Sequence, residues 1–400
     1  MSFKTRLITY LCRILLFCSI LALIPTKARF LEGLAIDFSI FRSSLASVGE
    51  GGAWPGVYPG LYLLFLPFTA LPFDIGFSLF SSLNIAATIF LFLYTAHKLG
   101  FSIRLHASSP SSLYIYIALF LFVSTSPVQI VSKVGQLSML AYALFVYAAF
   151  GSHKIGRACA LGVGVALKFS LFFFLLPLLF VKRHYAVVVY GTLLFLFFSC
   201  APIFFGYDLG NIYTDYFDCI VQKTVLIGGY DTYASSPNYT FVHFEFLKMN
   251  YLNILGKGLF FLIGLGVLYK ERERPYLISL ESLLLLSSLT MELSYHRVYD
   301  TCFIMALLFL QFVALCTQKR YRTLCLFSLL MSGYLFLFKL FIGRGACMRL
   351  GYLIGENRWI HLCPAGPHYL NFPGYAFLML ALTLWACWSY RFSRKSFAIN

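Results

Sequence analysis

Long apolar runs separated by short polar stretches recur along the whole chain. An α-helix needs about 17 to 25 apolar residues to cross the hydrocarbon of a bilayer. A membrane β-barrel would instead show alternating segments of about ten residues. Composition points the same way: 60% of the residues are hydrophobic and only 12% are charged, whereas soluble domains carry about a quarter charged residues. The pattern predicts an all-α polytopic membrane protein.

The apolar runs predict about ten full transmembrane helices. These spans are residues 7–24, 75–96, 113–128, 134–150, 185–205, 251–269, 276–293, 301–317, 323–342 and 371–390. The first run follows Lys4 and Arg6, so it is either an uncleaved anchor, which a multi-span chain favours, or a cleaved signal peptide. A tight polar hairpin at 129–136 is expected between the third and fourth spans.

Two further apolar segments do not fit a full crossing. Residues 57–73 contain three prolines, which break the backbone hydrogen-bond ladder of a helix. Residues 158–181 carry Lys168 in the middle and basic residues at both ends. If 158–181 were one span with a snorkelling lysine, three later basic loops would lie outside, against the positive-inside rule. Both segments are therefore predicted to be broken or re-entrant, with both termini cytoplasmic.

The same topology gives the domain organisation. Residues 1–400 are expected to form a single integral membrane domain with outer loops at 27–56, 206–250 and 343–370. The cytoplasmic connections are short, and they contain no P-loop and no Gly-x-Gly-x-x-Gly fingerprint. A function driven by cytosolic nucleotides is therefore not expected.

The net charge of +16 does not indicate a nucleic-acid partner. The Lys and Arg residues cluster at the ends of apolar runs, where they fix the orientation of the spans. Most cysteines lie within the apolar runs as small hydrophobic residues. No Cys-x-x-Cys or Cys/His spacing typical of a metal site occurs, so no metal is expected.

Rare polar residues gather on the predicted outer side of the membrane. Those with candidate chemistry are Asp37, Gln136, Lys168, His296 and Arg297. An outward-facing polar site among spans suggests a lipid-linked substrate, such as a sugar carried on polyprenyl phosphate. Sugar transfer needs a base for the acceptor hydroxyl, cations for the departing phosphate and an apolar groove. Asp37 fits the base, and Lys168, His296 and Arg297 fit the phosphate contacts.

Six short motifs occur in the order found in one known family. They are Asp37-Phe-Ser-Ile-Phe41, Val57-Tyr58-Pro59-Gly60, Gly135-Gln136-Leu137-Ser138, Gly162-Val-Gly164-Val-Ala-Leu-Lys168-Phe169, Asn238-Tyr-Thr240 and Tyr295-His296. The set resembles glycosyltransferase family 87, which has the GT-C membrane fold and uses polyprenyl-phosphate sugars. Phe41, Gly60, Ser138 and Phe169 stand where the family pattern has Tyr, Pro, Asn and Pro.

The resemblance implies roles for the matched positions. Asp37 would be the general base, with inversion at the anomeric carbon and no cofactor or metal. Tyr58, Gln136 and Asn238 would join Lys168, His296 and Arg297 in binding substrate. The leading prediction is a hexosyltransferase, with mannose as the sugar, that acts on a lipid-linked or cell-envelope glycan at the outer face of a bacterial inner membrane. Its partners would be the lipid-linked donor, the glycan acceptor and membrane lipids.

Alternatives remain for the protein and for each residue. A transporter or flippase of a lipid-linked saccharide would also need polar groups among spans, although the two halves show no clear repeat. A non-enzymatic assembly factor is a third possibility. If Asp37 is not the base, it is a loop charge or a salt-bridge partner of Arg42. If Lys168 does not bind phosphate, it is a snorkelling lysine. Gln136 would only satisfy backbone groups, and His296 would lie in a polar turn.

Overall fold

Helices make up nearly all of the described chain. The structure is a computed structural model, and it describes residues 3–25, 38–39, 41–43, 58–101, 103, 110–168, 174–217, 250–273, 278–293, 301–317, 385 and 398–399. The helices are α1 (Phe3–Leu23), α2 (Leu61–Thr69), α3 (Phe73–Lys98), α4 (Pro110–Val123), α5 (Ser126–Val134), α6 (Ser138–Phe150), α7 (Lys154–Leu167), α8 (Leu175–Val181), α9 (Tyr185–Cys200), α10 (Asn250–Arg272), α11 (Leu280–Leu293) and α12 (Cys302–Thr317). A 3₁₀ turn, Ala201–Phe205, extends α9.

Three helical stretches among the described residues are long and apolar enough to cross a membrane. They are Arg6–Leu23, Phe73–Lys98 and Tyr185–Phe205. Shorter apolar helices lie at Ser112–Val123, Ser138–Phe150, Leu280–Thr290 and Cys302–Thr317. The described part of the chain is therefore mostly helical, with apolar helices of membrane length, as predicted. The count of ten spans and their sidedness stay predictions, and 323–342 and nearly all of 371–390 lie outside the described residues.

The segment at 57–73 contains a short helix rather than a span. Helix α2 has nine residues with Pro67 inside, which gives a length of about 14 Å. That is about half the thickness of the hydrocarbon core. Pro72, which has an extended backbone (φ −51°, ψ 145°), separates α2 from the long helix α3. The length of α2 agrees with a segment that does not cross.

The predicted tight hairpin at 129–136 is wrong, because α5 occupies most of it. Helix α4 ends at Val123, Thr125 is extended, and Pro127 lies in the first turn of α5. Gln129 donates from Nε2 to the carbonyl oxygen of Ala22 at 2.9 Å. Ser132 donates to the carbonyl oxygen of Leu23. These polar side chains satisfy carbonyl groups at the end of α1. They therefore belong to a helix that packs against α1, and not to a loop.

The segment at 158–181 is broken, as expected. Helix α7 begins earlier than expected, at Lys154, and ends at Leu167; Lys168 then adopts an extended backbone (φ −159°, ψ 90°). Residues 169–173 lie outside the described residues, and α8 follows. Fourteen residues give α7 a length of about 21 Å.

Helix α7 packs most extensively against α9, and glycines allow the close approach. A Cβ built on Gly162 would lie 2.7 Å from the carbonyl oxygen of Gly191. A Cβ built on Gly191 would lie 2.7 Å from Cδ2 of Leu161. Helix α7 also packs on α6, which in turn packs on α3. Close approach through small residues is typical of helices packed in membranes.

One small sheet departs from the all-α prediction. Strand β1 (Ile278–Ser279) pairs antiparallel with β2 (Ala398–Ile399), with Ile278 opposite Ile399. The pair precedes α11. It joins the C-terminal residues to the start of a helix that lines the cleft described below.

The helix contacts define two ends of the bundle. At one end, which we call the basic end, Arg157 donates from Nε to the carbonyl oxygen of Ala148 at 2.8 Å and from Nη2 to that of Ala149 at 3.1 Å. The start of α7 therefore lies beside the end of α6. Lys154, Lys182, Arg183 and His184 occupy the adjoining helix ends. Lys168, at the opposite terminus of α7, marks the other end.

Candidate functional site

Lys168 is held at the point where α7 stops. Its backbone N–H donates to the carbonyl oxygen of Gly164 at 2.9 Å, which completes the last helical turn. The side chain is half-buried, and its ammonium donates to Oγ of Ser138 at 3.1 Å. Ser138 is fully buried and begins α6. Two of the sequence motifs therefore meet through this hydrogen bond.

The turn between α5 and α6 places Gln136 beside this contact. Gly135 adopts a left-handed conformation (φ 74°, ψ 46°) at the end of α5, which favours glycine. The backbone N–H groups of Gly135 and Gln136 both donate to the carbonyl oxygen of Val131, at 3.1 and 3.2 Å. Gln136 is half-buried and lies two residues before Ser138.

Phe38, from the first predicted outer loop, lies at the same turn. A Cβ built on Gly135 would lie 2.7 Å from Cβ of Phe38 and 3.4 Å from its backbone nitrogen. Asp37 precedes Phe38 in the chain but lies outside the described residues. Arg42 donates from Nη2 to the carbonyl oxygen of Leu71 at 2.9 Å, and its guanidinium lies 5.7 Å from the centre of the Phe73 ring.

Tyr58 lies at the same end of the bundle but has different partners. Its hydroxyl lies 2.8 Å from Oγ of Ser199, which itself donates to the carbonyl oxygen of Phe195. The phenol is therefore the donor, and its ring stacks on Phe195. Burial raises the pKa of Tyr58 above its ordinary range, so the phenol stays neutral. A Cβ built on neighbouring Gly60 would lie 3.2 Å from Cβ of Ala166, two residues before Lys168.

A small, largely apolar cleft opens between α6, α8, α11 and α12. Its lining comprises Tyr142, Phe145, Phe174, Leu175, Leu178, Ile278, Leu283, Leu286, Ser287, Thr290 and Phe303. Tyr142 is one turn, a rise of about 6 Å, along α6 from Ser138. The hydroxyls of Ser287 and Thr290 donate to carbonyl oxygens of their own helix. The cleft therefore presents an apolar surface that starts near the Lys168–Ser138 contact.

The structure brings together some of the predicted site residues. Lys168 and the turn at Gln136 adjoin, and the motif of Tyr58 contacts α7 through Gly60. Asp37, Asn238, His296 and Arg297 lie outside the described residues, so their roles stay predictions. Within the described ranges, no group of three or more His, Cys, Asp or Glu side chains is placed to hold a metal ion.

Sequence reasoning did not assign a role to Ser138 or Phe38. Ser138 had a signal, because it fills the last position of the Gly-Gln-x-Asn-type motif. Phe38 had only its position next to Asp37. Their partners lie at least 27 residues away in the chain, and no periodicity of one segment encodes such contacts.

Comparison with known proteins gives one match. The sequence model of glycosyltransferase family 87 matches residues 58–338. Searches of the curated proteins and of the solved structures found no match. The matched range contains the motifs at Tyr58, Gln136 and Lys168, and it begins after Asp37.

Proposed function

The chain belongs to glycosyltransferase family 87, and on that basis we propose that it transfers a hexose from a polyprenyl-phosphate donor to a lipid-linked or cell-envelope glycan. The proposed sugar is mannose. The proposed location is a bacterial inner membrane, with the Lys168 end of the bundle facing the periplasm. Nucleotide sugars are absent from that compartment, so a lipid-linked donor suits a site there.

The observation that supports this donor is a cation placed next to an apolar cleft. The ammonium of Lys168 is fixed by Ser138, and the cleft lining begins one turn away at Tyr142. A Lys ammonium is a compact point charge suited to a phosphate. The donor phosphate would lie at Lys168, and the polyprenyl chain would lie along the cleft. His296 and Arg297 would add contacts to the phosphate.

The proposed reaction is a single displacement at the anomeric carbon. The acceptor hydroxyl oxygen forms a bond to that carbon as the bond to the phosphate oxygen breaks, so the configuration inverts. Asp37 takes the hydroxyl proton. The polyprenyl phosphate leaves with the bonding electron pair, and the charge that develops on it is stabilised by Lys168. Tyr58, Gln136 and Asn238 would position the sugars, and no metal or cofactor is required.

The placement of Phe38 supports Asp37 as the base. Phe38 contacts Gly135, the residue before Gln136, and Asp37 is its neighbour in the chain. The guanidinium of Arg42 already binds the Leu71 carbonyl and lies over the Phe73 ring. These contacts anchor the residues that follow Phe38 on α2 and α3.

The test is sugar transfer by purified protein in lipid nanodiscs with radiolabelled polyprenyl-phosphate mannose. Asp37→Asn keeps the size of the side chain but removes the base, so we expect kcat to fall by about 10²- to 10⁴-fold. Asp74→Asn is the matched control, because Asp74 is an exposed carboxylate in the first turn of α3. Normal turnover by Asp37→Asn would remove Asp37 as base. Translocation of the lipid in liposomes without any transfer would instead favour a flippase.

A further inference from the structure

Phe38 is buried in a cage of aromatic rings. Its side chain is fully buried, although the sequence pattern places it in an outer loop, where side chains are usually exposed. Five phenylalanine rings from α2 and α3 surround it, with centroid distances of 5.4 Å to Phe65, 6.5 Å to Phe68, 5.6 Å to Phe73, 5.5 Å to Phe77 and 5.4 Å to Phe80. All five pairs are tilted or edge-on, the arrangements that aromatic pairs prefer.

The backbone side of Phe38 is equally confined. It lies against Gly135, where an added Cβ would come within 2.7 Å of Cβ of Phe38. That distance is shorter than any ordinary carbon contact, so only glycine leaves room for Phe38 at this turn. The same turn continues into Gln136 and Ser138, the partner of Lys168.

A second anchor fixes the residues after Phe38. The hydrogen bond from Arg42 to the Leu71 carbonyl, together with its position over the Phe73 ring, attaches residues 41–43 to the region between α2 and α3. Phe41 also packs edge-on against Phe65, at a centroid distance of 5.6 Å. The described residues of this segment are therefore fixed on α2 and α3 at several points.

We propose that Phe38 is a positioning residue of the transfer reaction, which holds the segment that carries Asp37 against the turn at Gly135. This inference rests on the proposed function, because it assigns Phe38 a role through Asp37. Phe38 itself touches no reacting atom. A base displaced by about 1 Å costs up to about 10²-fold in rate, so the aromatic cage acts on kcat rather than on donor binding.

The experiment compares two phenylalanines of equal burial. Phe38→Leu shortens the side chain inside its cage. Phe92→Leu is the matched control, since Phe92 is also fully buried, lies on α3 and stacks on Phe122 at the other half of the helix. Each variant is measured for kcat, donor KM and thermal unfolding in nanodiscs. Gly135→Ala perturbs the contact between Gly135 and Phe38 from the side of the turn. It replaces Phe38→Leu in the experiment if that variant does not fold.

We expect kcat to fall by about tenfold or more in Phe38→Leu, with donor KM unchanged. Gly135→Ala should lower kcat likewise and also raise donor KM, because the same turn leads to Gln136 and Ser138. Phe92→Leu should lower the unfolding temperature and leave kcat near that of the wild type. In the Asp37→Asn background, Phe38→Leu should cause no further loss of rate, because a positioning residue has nothing left to position.

The outcomes separate the two proposals. In one outcome, Asp37→Asn is inactive, but Phe38→Leu turns over normally or loses no more kcat than Phe92→Leu. The positioning role of Phe38 is then wrong, and the proposed function stands. If the two losses add fully in the double variant, Phe38 acts independently of Asp37 and the inference fails. Normal turnover by Asp37→Asn would remove Asp37 as base and, with it, the positioning role of Phe38, while sugar transfer itself would stand.

Discussion

The hydroxyl of Ser138 accepts a hydrogen bond from the ammonium of Lys168. Ser138 stands where the family pattern has Asn, and its Oγ lies 3.1 Å from Nζ of Lys168. Serine and asparagine both offer an oxygen that accepts a hydrogen bond. Serine in place of asparagine therefore keeps a hydrogen-bond acceptor at this position of the motif, although the residue type differs.

The Lys168–Ser138 pair gives a prediction at the residue scale. We expect Lys168→Ala to raise donor KM by about tenfold or more, because a hydrogen bond to a charged group is worth about 1.5–3 kcal/mol. Ser138→Ala should raise donor KM by a smaller factor. Ser138→Asn should keep donor KM near that of the wild type, because asparagine also offers an acceptor oxygen. Initial rates against donor concentration provide the measurement.

Lys154→Ala is the matched control, since Lys154 is an exposed lysine on the same helix at the basic end. The double variant of Lys168→Ala and Ser138→Ala should bind donor no worse than Lys168→Ala alone. A donor KM equally raised by Lys154→Ala would show that general charge, and not the site, determines binding.

At the scale of elements, glycine spacing sets how closely α7 and α9 pack. The prediction compares two identical changes, Gly162→Ala and Gly266→Ala. A Cβ on Gly162 would meet the backbone oxygen of Gly191 at 2.7 Å, whereas a Cβ on Gly266 of α10 meets nothing within 4 Å. Alanine favours a helix over glycine by about 1 kcal/mol, so Gly266→Ala should be neutral or stabilising.

Gly162→Ala should instead lower the unfolding temperature, because backbone atoms must move apart. It should also raise donor KM, since α7 carries Lys168. Thermal unfolding and transfer kinetics of both variants in the same nanodiscs test this. Equal stability of the two proteins would contradict the close packing of α7 on α9.

Hydrophobic pattern predicted the long helices well and the short ones poorly. The apolar runs at 7–24, 75–96 and 185–205 correspond to α1, α3 and α9 with its 3₁₀ extension, because length and hydropathy alone decide such segments. Helix α5 was missed because Gln129 and Ser132 read as loop residues. Their role is to donate hydrogen bonds to carbonyl groups at the end of α1. That role depends on how α1 and α5 pack, which the sequence pattern does not encode.

The sequence named Lys168 and Gln136 as candidates but did not indicate which contacts they would make. The broken helix at Lys168 was predicted from the positive-inside rule, because a single span at 158–181 would place three later basic loops outside. Its bond to Ser138 joins residues thirty positions apart and depends on how α6 and α7 pack. The sequence pattern likewise gave no sign that Phe38 would be enclosed by rings of α2 and α3. For Asp37, Asn238, His296 and Arg297 the sequence-based roles stay predictions.

At the scale of the whole molecule, charge divides the bundle. Basic residues occupy one end of α7, α8 and α9, and the Lys168 site lies at the other end of α7. Burial and the nearby Arg157, Lys182 and Lys154 lower the pKa of His184, so this histidine is neutral at pH 7 and adds no charge to the basic end. The positive-inside rule then predicts that the basic end is cytoplasmic.

Accessibility of introduced cysteines tests this orientation. Ser152→Cys lies exposed at the basic end, and Asn211→Cys lies exposed beyond the 3₁₀ extension of α9. In intact cells, a membrane-impermeant maleimide should label Asn211→Cys above the level of the parent protein. Ser152→Cys should gain label only after permeabilisation. The reverse pattern would place the Lys168 end, and the proposed reaction, in the cytoplasm.

The contacts of Arg157 carry a mechanical consequence. Helices α6 and α7 are fastened to each other at both ends, by Arg157 to Ala148 and Ala149 and by Lys168 to Ser138. The two fastenings are about 16 Å apart along α7. Hydrogen bonds at both ends of the shared face oppose separation and sliding of the two helices. If the proposed function is right, we expect a lipid tail to enter the cleft by displacement of α8, α11 or α12, while α6 stays in place against α7.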